Sequence, residues 1–267
     1  SAVTSPAPSG KKEVSPEVQA MEEQAMKQDW FYQFELPGGS ITNCYMPEPA
    51  RRIHTDRLAI IDSVLGETFG ADFSKLSCLD IGCNQGYFAV EMARRGFRKV
   101  RGFDARRQNV DDAILMRRIY GLDNLRFQTA DINGVSANEM GQFDVVLMLS
   151  VLFWLDNPIG ALRRAKALTK KVLIIETPVA PDLSGEIDWG TRHAKKTLQG
   201  SFAVLDQTVE STLPTGSLTR LSLCPGRETL VWMMKKLGFS SVEILPVPPD
   251  AHEQLVSGSR IMFVCKV

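Results

Sequence analysis

Hydrophobic and polar residues follow two rhythms along this chain, and the two take turns. Short apolar or alternating runs occur at Leu76-Ser-Cys-Leu-Asp80-Ile, Lys99-Val-Arg-Gly-Phe103, Leu125-Arg-Phe-Gln128 and Phe143-Asp-Val-Val-Leu-Met148, and again at Lys171-Val-Leu-Ile-Ile175, Ser241-Val-Glu-Ile-Leu245 and Arg260-Ile-Met-Phe-Val264. Each reads as a β-strand. Helical spacing fills the segment after Gly86 and residues 106–120, 158–168 and 225–237. Strands and helices in alternation predict an α/β domain. The middle runs are apolar at nearly every position, as in parallel strands covered by helices on both faces.

Upstream, Ser15-Pro16-Glu17 combines an N-cap, a first-turn proline and an acidic residue, which predicts a helix to about Gln28; a second is expected over 49–65. Between them Trp30-Phe-Tyr32-Gln-Phe34 alternates toward Leu36-Pro-Gly-Gly39, a short strand and turn. The organisation expected is a Pro/Ser/Ala-rich flexible tail (1–14), a helical and aromatic extension (15–54) and a main domain (55–267) with a turn-rich insertion at 177–220. The extension either covers a ligand as a lid or simply packs on the core. The insertion follows the fifth strand and would overlie the carboxyl ends of the sheet, where ligands bind in such folds.

The first strand breaks at an acidic residue into a glycine-bearing turn, Asp80-Ile-Gly82-Cys-Asn84-Gln-Gly86, and a helix follows at once. Such a junction lets a ligand lie against bare backbone, although a plain βα loop can look the same. Two further carboxylates sharpen the reading. Asp104 ends the second strand about 20 residues beyond the turn, where a carboxylate can accept hydrogen bonds from ribose hydroxyls. Asp131 follows the third. A nicotinamide dinucleotide fits poorly, since its fingerprint is Gly-x-Gly-x-x-Gly and an acidic residue at the turn repels a pyrophosphate.

Composition narrows the function classes. The chain has 267 residues, 44% of them apolar, enough for one substantial core. Its formal net charge is zero, so no global field draws in nucleic acid, although arginine and lysine pairs at 51–52, 94–95, 106–107, 117–118, 163–164 and 195–196 leave tRNA open. Cysteines at 44, 78, 83, 224 and 265 form no framework and suggest a reduced, cytoplasmic protein. No run is long enough to span a membrane, and no His/Cys/carboxylate spacing suggests a metal.

The order of strands and acidic residues resembles the class I S-adenosylmethionine-dependent methyltransferases, with Asp80-Ile-Gly82-Cys-Asn84-Gln-Gly86 as their first motif, over roughly residues 55–267. Asn84 stands where the middle glycine is usual; asparagine tolerates positive φ best among non-glycine residues. The resemblance implies a Rossmann-like, seven-stranded, mostly parallel sheet with an antiparallel last strand, and S-adenosylmethionine as cofactor. It also implies roles for individual residues: Asp80 with Gly82, Cys83, Asn84 and Gly86 at the methionine portion, Asp104 at the ribose, Ala105 on the adenine face, Asp131 and Ile132 at its edge, and Leu149 and Ser150 along the methyl channel.

Val151-Leu-Phe-Trp154-Leu-Asp-Asn-Pro158, Glu176-Thr177 and Leu237-Gly-Phe239, with the early Trp30-Phe-Tyr32, are similar to the subgroup labelled tRNA wobble-uridine methyltransferase-like. That subgroup commonly carries Leu-Tyr-His where this chain has Leu152-Phe153-Trp154. The function expected is O-methylation of a small molecule held by Trp30, Tyr32, Trp154 and Trp189, with tRNA modification or cofactor binding without turnover as alternatives. If the acceptor must lose a proton, His193 in the insertion is the first candidate base, ahead of His54 and His252, although a packing or surface role is the commoner one for any single histidine.

Overall fold

The computed structural model describes residues 13–190, 195–209, 213 and 216–267. Apart from residues 13 and 14, the expected tail lies outside them. Two helices open the chain, α1 (Pro16–Ala25), capped by the Ser15 side chain, and α2 (Glu48–Phe69). The main domain then alternates β1 (Ser77–Ile81), α3 (Tyr87–Arg94), β2 (Lys99–Asp104), α4 (Arg107–Ile119), β3 (Leu125–Thr129), α5 (Ala137–Met140), β4 (Phe143–Leu149), α6 (Pro158–Leu168) and β5 (Thr169–Pro178). Four short strands follow, β6 (Ser184–Ile187), β7 (Lys196–Gln199), β8 (Phe202–Asp206) and β9 (Leu221–Pro225), then α7 (Arg227–Lys236), β10 (Ser241–Ile244), α8 (Glu253–Val256) and β11 (Arg260–Lys266).

Seven strands form one sheet in the order β10-β11-β5-β4-β1-β2-β3. From β5 to β3 all pairings are parallel, and β11 runs antiparallel to both its neighbours. This is the Rossmann-like arrangement expected. Because successive side chains of a strand point to opposite faces, the continuous apolar runs feed two cores. Cys78, Val145, Leu147, Val172 and Ile174 meet α2, α3 and α4 on one side. Leu79, Ile81, Val146, Met148, Leu173 and Ile175 meet α6 and α7 on the other.

The extension is part of the first core. Trp30, Tyr32, Phe34 and Leu36 are all buried there, so the alternation read from the sequence is real. Its backbone pairing is limited to isolated bridges, Trp30 with Cys44 and Glu35 with Ile41, rather than a full strand. Arg95 fastens α3 to α2, pairing with both Asp62 oxygens at 2.6 and 2.8 Å and with Glu91 at 2.6 Å. The insertion forms two antiparallel hairpins, β6/β7 and β8/β9. Sequence pattern missed these strands because most of their residues are exposed or half-buried, leaving no apolar face to produce alternation.

Candidate active site

The turn after β1 is built on left-handed backbone. Gly82, Asn84 and Gly86 have φ of 67°, 48° and 84°, so asparagine does adopt the conformation for which the sequence reading chose it. The two glycines serve different ends. A Cβ on Gly82 would come within 2.5 Å of the Val151 side chain, next to a large cavity that Gly82 lines. At Gly86 it would strike Phe127 and Ala113, so that glycine permits helix-to-sheet packing. Gln85 ties the turn to the extension by accepting from the Phe31 N–H at 2.7 Å.

Asp104 organises the next strand end. One carboxylate oxygen accepts from the Asn84 N–H at 2.9 Å; the other accepts from the Arg106 N–H at 2.9 Å and from Asn109 Nδ2 at 3.1 Å. Asp80 lies beneath the turn, fully buried, with its Oδ2 lacking any hydrogen-bond partner among the described residues. Burial, reinforced by the charge of Asp104, pushes its carboxyl up to about 8. Asp131 lines the cavity and caps its own turn, accepting from the Asn133 N–H at 2.8 Å. The Asn133 side-chain oxygen, also at the cavity, is buried and without a partner.

The cavity of about 900 Å³ continues past Leu149 and Ser150 to a second half. That half is walled by Phe31, Tyr32 and Met46 of the extension, by Phe153 and Trp154 of a 3-10 turn after β4, and by the α8 approach at Ala251 and His252. At its floor Glu176, completely buried at the end of β5, sits between Arg57 Nε at 3.1 Å and Arg260 Nη1 at 2.8 Å. Ser150 closes this group, with φ of 58°, its N–H donating to the Glu176 carbonyl at 2.8 Å and its hydroxyl accepting from Arg260 at 3.1 Å.

Several expectations need correcting. Trp30 is wholly buried, its indole N–H donating to the Ala25 carbonyl at 2.9 Å, and it does not reach the cavity. Trp189 is 64% exposed and is not among the cavity residues. An alternating aromatic run shows that one face is covered without showing by what. Cys83 and Gly86 face the protein interior rather than the cavity, and Asp80 is one layer below it. Gly82, Asn84, Asp104, Ala105, Asp131, Ile132, Leu149, Ser150, Tyr32 and Trp154 do line it.

His193 lies outside the described residues. Both other histidines line the cavity. Burial and the neighbouring arginines lower His54 to about 3, so it stays neutral, with Nδ1 toward Arg57 and Nε2 toward the Met46 sulfur. His252 Nδ1 accepts from the Gln254 N–H at 3.3 Å; with that assignment a neutral ring carries its proton on Nε2. Sequence reasoning overlooked Arg57, Glu176 and Arg260. A signal existed for Glu176, which ends the run Val-Leu-Ile-Ile as Asp80 ends its own.

The family model described as "Methyltransferase domain" matches residues 53–244. The chain belongs to this methyltransferase family. The methyltransferase is 36% identical over 100 residues to the ubiquinone biosynthesis O-methyltransferase of Caulobacter vibrioides, covering 38% of this chain and 39% of that one. Identity to the enzyme of the same name from Neisseria meningitidis (serogroup A, strain Z2491) is 28% over 100 residues, or 38% and 42%. The matched stretch thus spans less than half the length of these curated relatives. Among solved structures, the methyltransferase resembles the N-terminal domain of EvdMO1 crystallised in the presence of SAH and D-fucose: TM-score 0.68, 18% identity, 95% of this chain and 97% of that one. It also resembles the magnesium protoporphyrin IX methyltransferase of Synechocystis PCC 6803 with bound SAH: TM-score 0.53, 17% identity, 84% and 89%.

The methyltransferase uses S-adenosylmethionine, and the residues present suit that molecule. At the cavity the buried Asn133 amide oxygen, without a hydrogen-bond partner among the described residues, is free to accept from an amino group, while the unpaired Asp80 oxygen lies a layer beneath and can act on an ammonium only through its charge. At Gly82 the space a Cβ would take is filled by the Val151 side chain, and the glycine itself lines the cavity.

Proposed function

We propose that the chain methylates an oxygen of a small-molecule acceptor held in the second half of the cavity. The observation that carries this reading is the continuity of one cavity from the glycine turn to the aromatic wall at Phe31, Phe153 and Trp154. The curated relatives named for ubiquinone O-methylation support it. When bound, S-adenosylmethionine supplies an already activated methyl group. The protein's share is therefore positioning and the exclusion of water.

In this reading the Gly82–Asn84 backbone holds the methionine portion, with the Asp80 carboxyl acting on its ammonium by charge from the layer beneath, Asp104 holds the ribose, Ala105 and Ile132 the adenine faces, and Asp131 and Asn133 its edge. Leu149 and Ser150 border the path along which the acceptor oxygen approaches, and Tyr32 and Trp154 shape its pocket. His193 keeps its candidacy as base only as a proposal, because neither His54 nor His252 offers a free lone pair to the cavity.

The subgroup resemblance keeps tRNA modification as the alternative. The placement of several basic pairs favours the small molecule. Arg95 is committed to Asp62 and Glu91, Arg51 to the Cys44 and Met46 carbonyls, and Arg106 to the Gly216 carbonyl. The five unpaired cysteines suit a reducing compartment, which keeps the cytoplasm as the proposed location.

The deciding experiment supplies methyl-labelled donor to the purified protein together with separate small-molecule and RNA extracts. Label in a low-mass organic product, insensitive to ribonuclease, is expected. Label confined to RNA, with activity falling steeply as salt rises, would replace this reading with the alternative.

A further inference from the structure

Glu176 carries one formal negative charge, and each of its carboxylate oxygens faces a guanidinium group, Oε2 that of Arg57 and Oε1 that of Arg260. All three groups are buried or nearly so, and Arg57 and Arg260 both line the acceptor half of the cavity. Their other hydrogen-bond partners among the described residues are neutral: His54 Nδ1 at 3.5 Å from Arg57 Nη1, Ser150 Oγ at 3.1 Å from Arg260 Nη1, and Gln254 Oε1 at 3.2 Å from Arg260 Nε. Arg52, nearby on α2, is already matched by Asp56 and Asp250. Asp156 and Glu253 also line the cavity but make no ion pair with either arginine, so the buried trio Arg57–Glu176–Arg260 itself holds one positive charge in excess. An uncompensated charge in a region sheltered from water is costly, and a ligand that neutralises it recovers that cost.

Resting on the methyltransferase reading above, we propose that Arg57 and Arg260 form an anion subsite and that the acceptor carries a carboxylate, separate from the oxygen that is methylated. The guanidinium fork matches a carboxylate by paired, charge-assisted hydrogen bonds. Arg260 also lies over the Phe153 ring at 5.5 Å, and Phe153 and Trp154 pack at 4.2 Å between centroids. The subsite thus adjoins an aromatic wall, which suits a flat, hydroxylated acid.

The donor also has a carboxylate, on its methionine portion, but the strand order separates the two positions. Glu176 lies two residues before the end of β5, two strands from β1 and its glycine turn, and Arg260 opens β11, three strands away. At roughly 4.8 Å per strand that is about 14 Å from β1 to β11. The proposal places the acceptor, not the methionine tail, on the sheet beyond β4; because the Arg260 guanidinium reaches back to Ser150, just after β4, the donor's own tail is the competing occupant that the test below distinguishes.

The test reads binding rather than turnover, so that it stands apart from the methyl-transfer assay. Titration calorimetry compares benzoate, 3,4-dihydroxybenzoate and the aliphatic hydroxy acid malate with their uncharged amides, on wild-type protein saturated with S-adenosylhomocysteine. At least one acid is expected to bind about tenfold or more tightly than its amide, the loss typical of a charge-assisted contact. Arg260→Met leaves Glu176 paired with Arg57 and removes the excess charge together with the Ser150 and Gln254 contacts. It is expected to abolish the acid preference while the S-adenosylhomocysteine affinity stays within about threefold.

Equal affinity for every acid and its amide on the wild-type protein, or no binding of any acid, overturns the proposal without needing a variant. So does a tenfold loss of S-adenosylhomocysteine affinity in Arg260→Met, which would hand the subsite to the donor's own tail. Failure to bind S-adenosylhomocysteine at all would instead count against the methyltransferase reading itself.

Discussion

The Asn84 N–H donates to the Asp104 carboxylate across 2.9 Å, so the atypical residue of the glycine turn and the acid at the end of β2 form one unit. The bond requires Asn84 at φ of 48°. Asn84→Gly keeps that conformation available and is expected to preserve donor affinity. Asn84→Val should cost about 1–2 kcal/mol, because β-branched residues resist the left-handed region. Urea unfolding and S-adenosylhomocysteine titration of the two variants check the contrast.

Asp104→Ala removes the acceptor for three donors at once, those of Asn84, Arg106 and Asn109. Donor binding should weaken by about 1–3 kcal/mol, as for lost hydrogen bonds with one charged partner. Unchanged affinity would take Asp104 away from the ribose.

Asp80 makes both folding and donor binding depend on pH. Its carboxyl titrates at about 8 in the folded protein, against about 4 in an unfolded chain. Between those values the folded state holds a proton that the unfolded state has lost. The stability from this group is fully present below about pH 4 and is lost as pH rises through about 8. Relative to Asp80→Asn, wild-type stability should decline across that window and then level off. An ammonium ligand favours the ionised carboxylate, so donor binding should release a proton below pH 8 and tighten as pH approaches it. Calorimetry in buffers of different ionisation enthalpy measures that proton directly.

Gly82→Ala faces two penalties, the left-handed φ of 67° and the Val151 side chain 2.5 Å from the new Cβ. Donor binding should fall sharply. Adding Val151→Ala should restore only the steric part, leaving about 1–2 kcal/mol from the backbone. Full restoration by the double variant would show that the backbone term is absent.

Arg95→Met strands Asp62 and Glu91 beside a buried aliphatic chain and should destabilise the fold by about 3–5 kcal/mol. Trp154→Ala and Trp189→Ala should part company in the acceptor titration. The first removes a cavity wall, and the second removes a side chain 64% exposed to solvent.

The sequence by itself determined the seven-stranded α/β framework, the left-handed turn with its tolerant asparagine, and the acids Asp80, Asp104 and Asp131 at successive strand ends. All of these are written in short-range patterns: alternation within a strand, a glycine where φ turns positive, a polar residue where an apolar run stops. Only the tertiary structure decided which aromatics meet the cavity, because the period that buries Trp30 and Tyr32 is the same and one of them lies a layer deeper. Only it brought Arg57 from α2 and Arg260 from β11 onto Glu176. These three lie far apart along the chain, and an ion pair between distant elements leaves no periodicity in either. The field such charges create depends on burial and mutual distance, which packing sets and residue order does not.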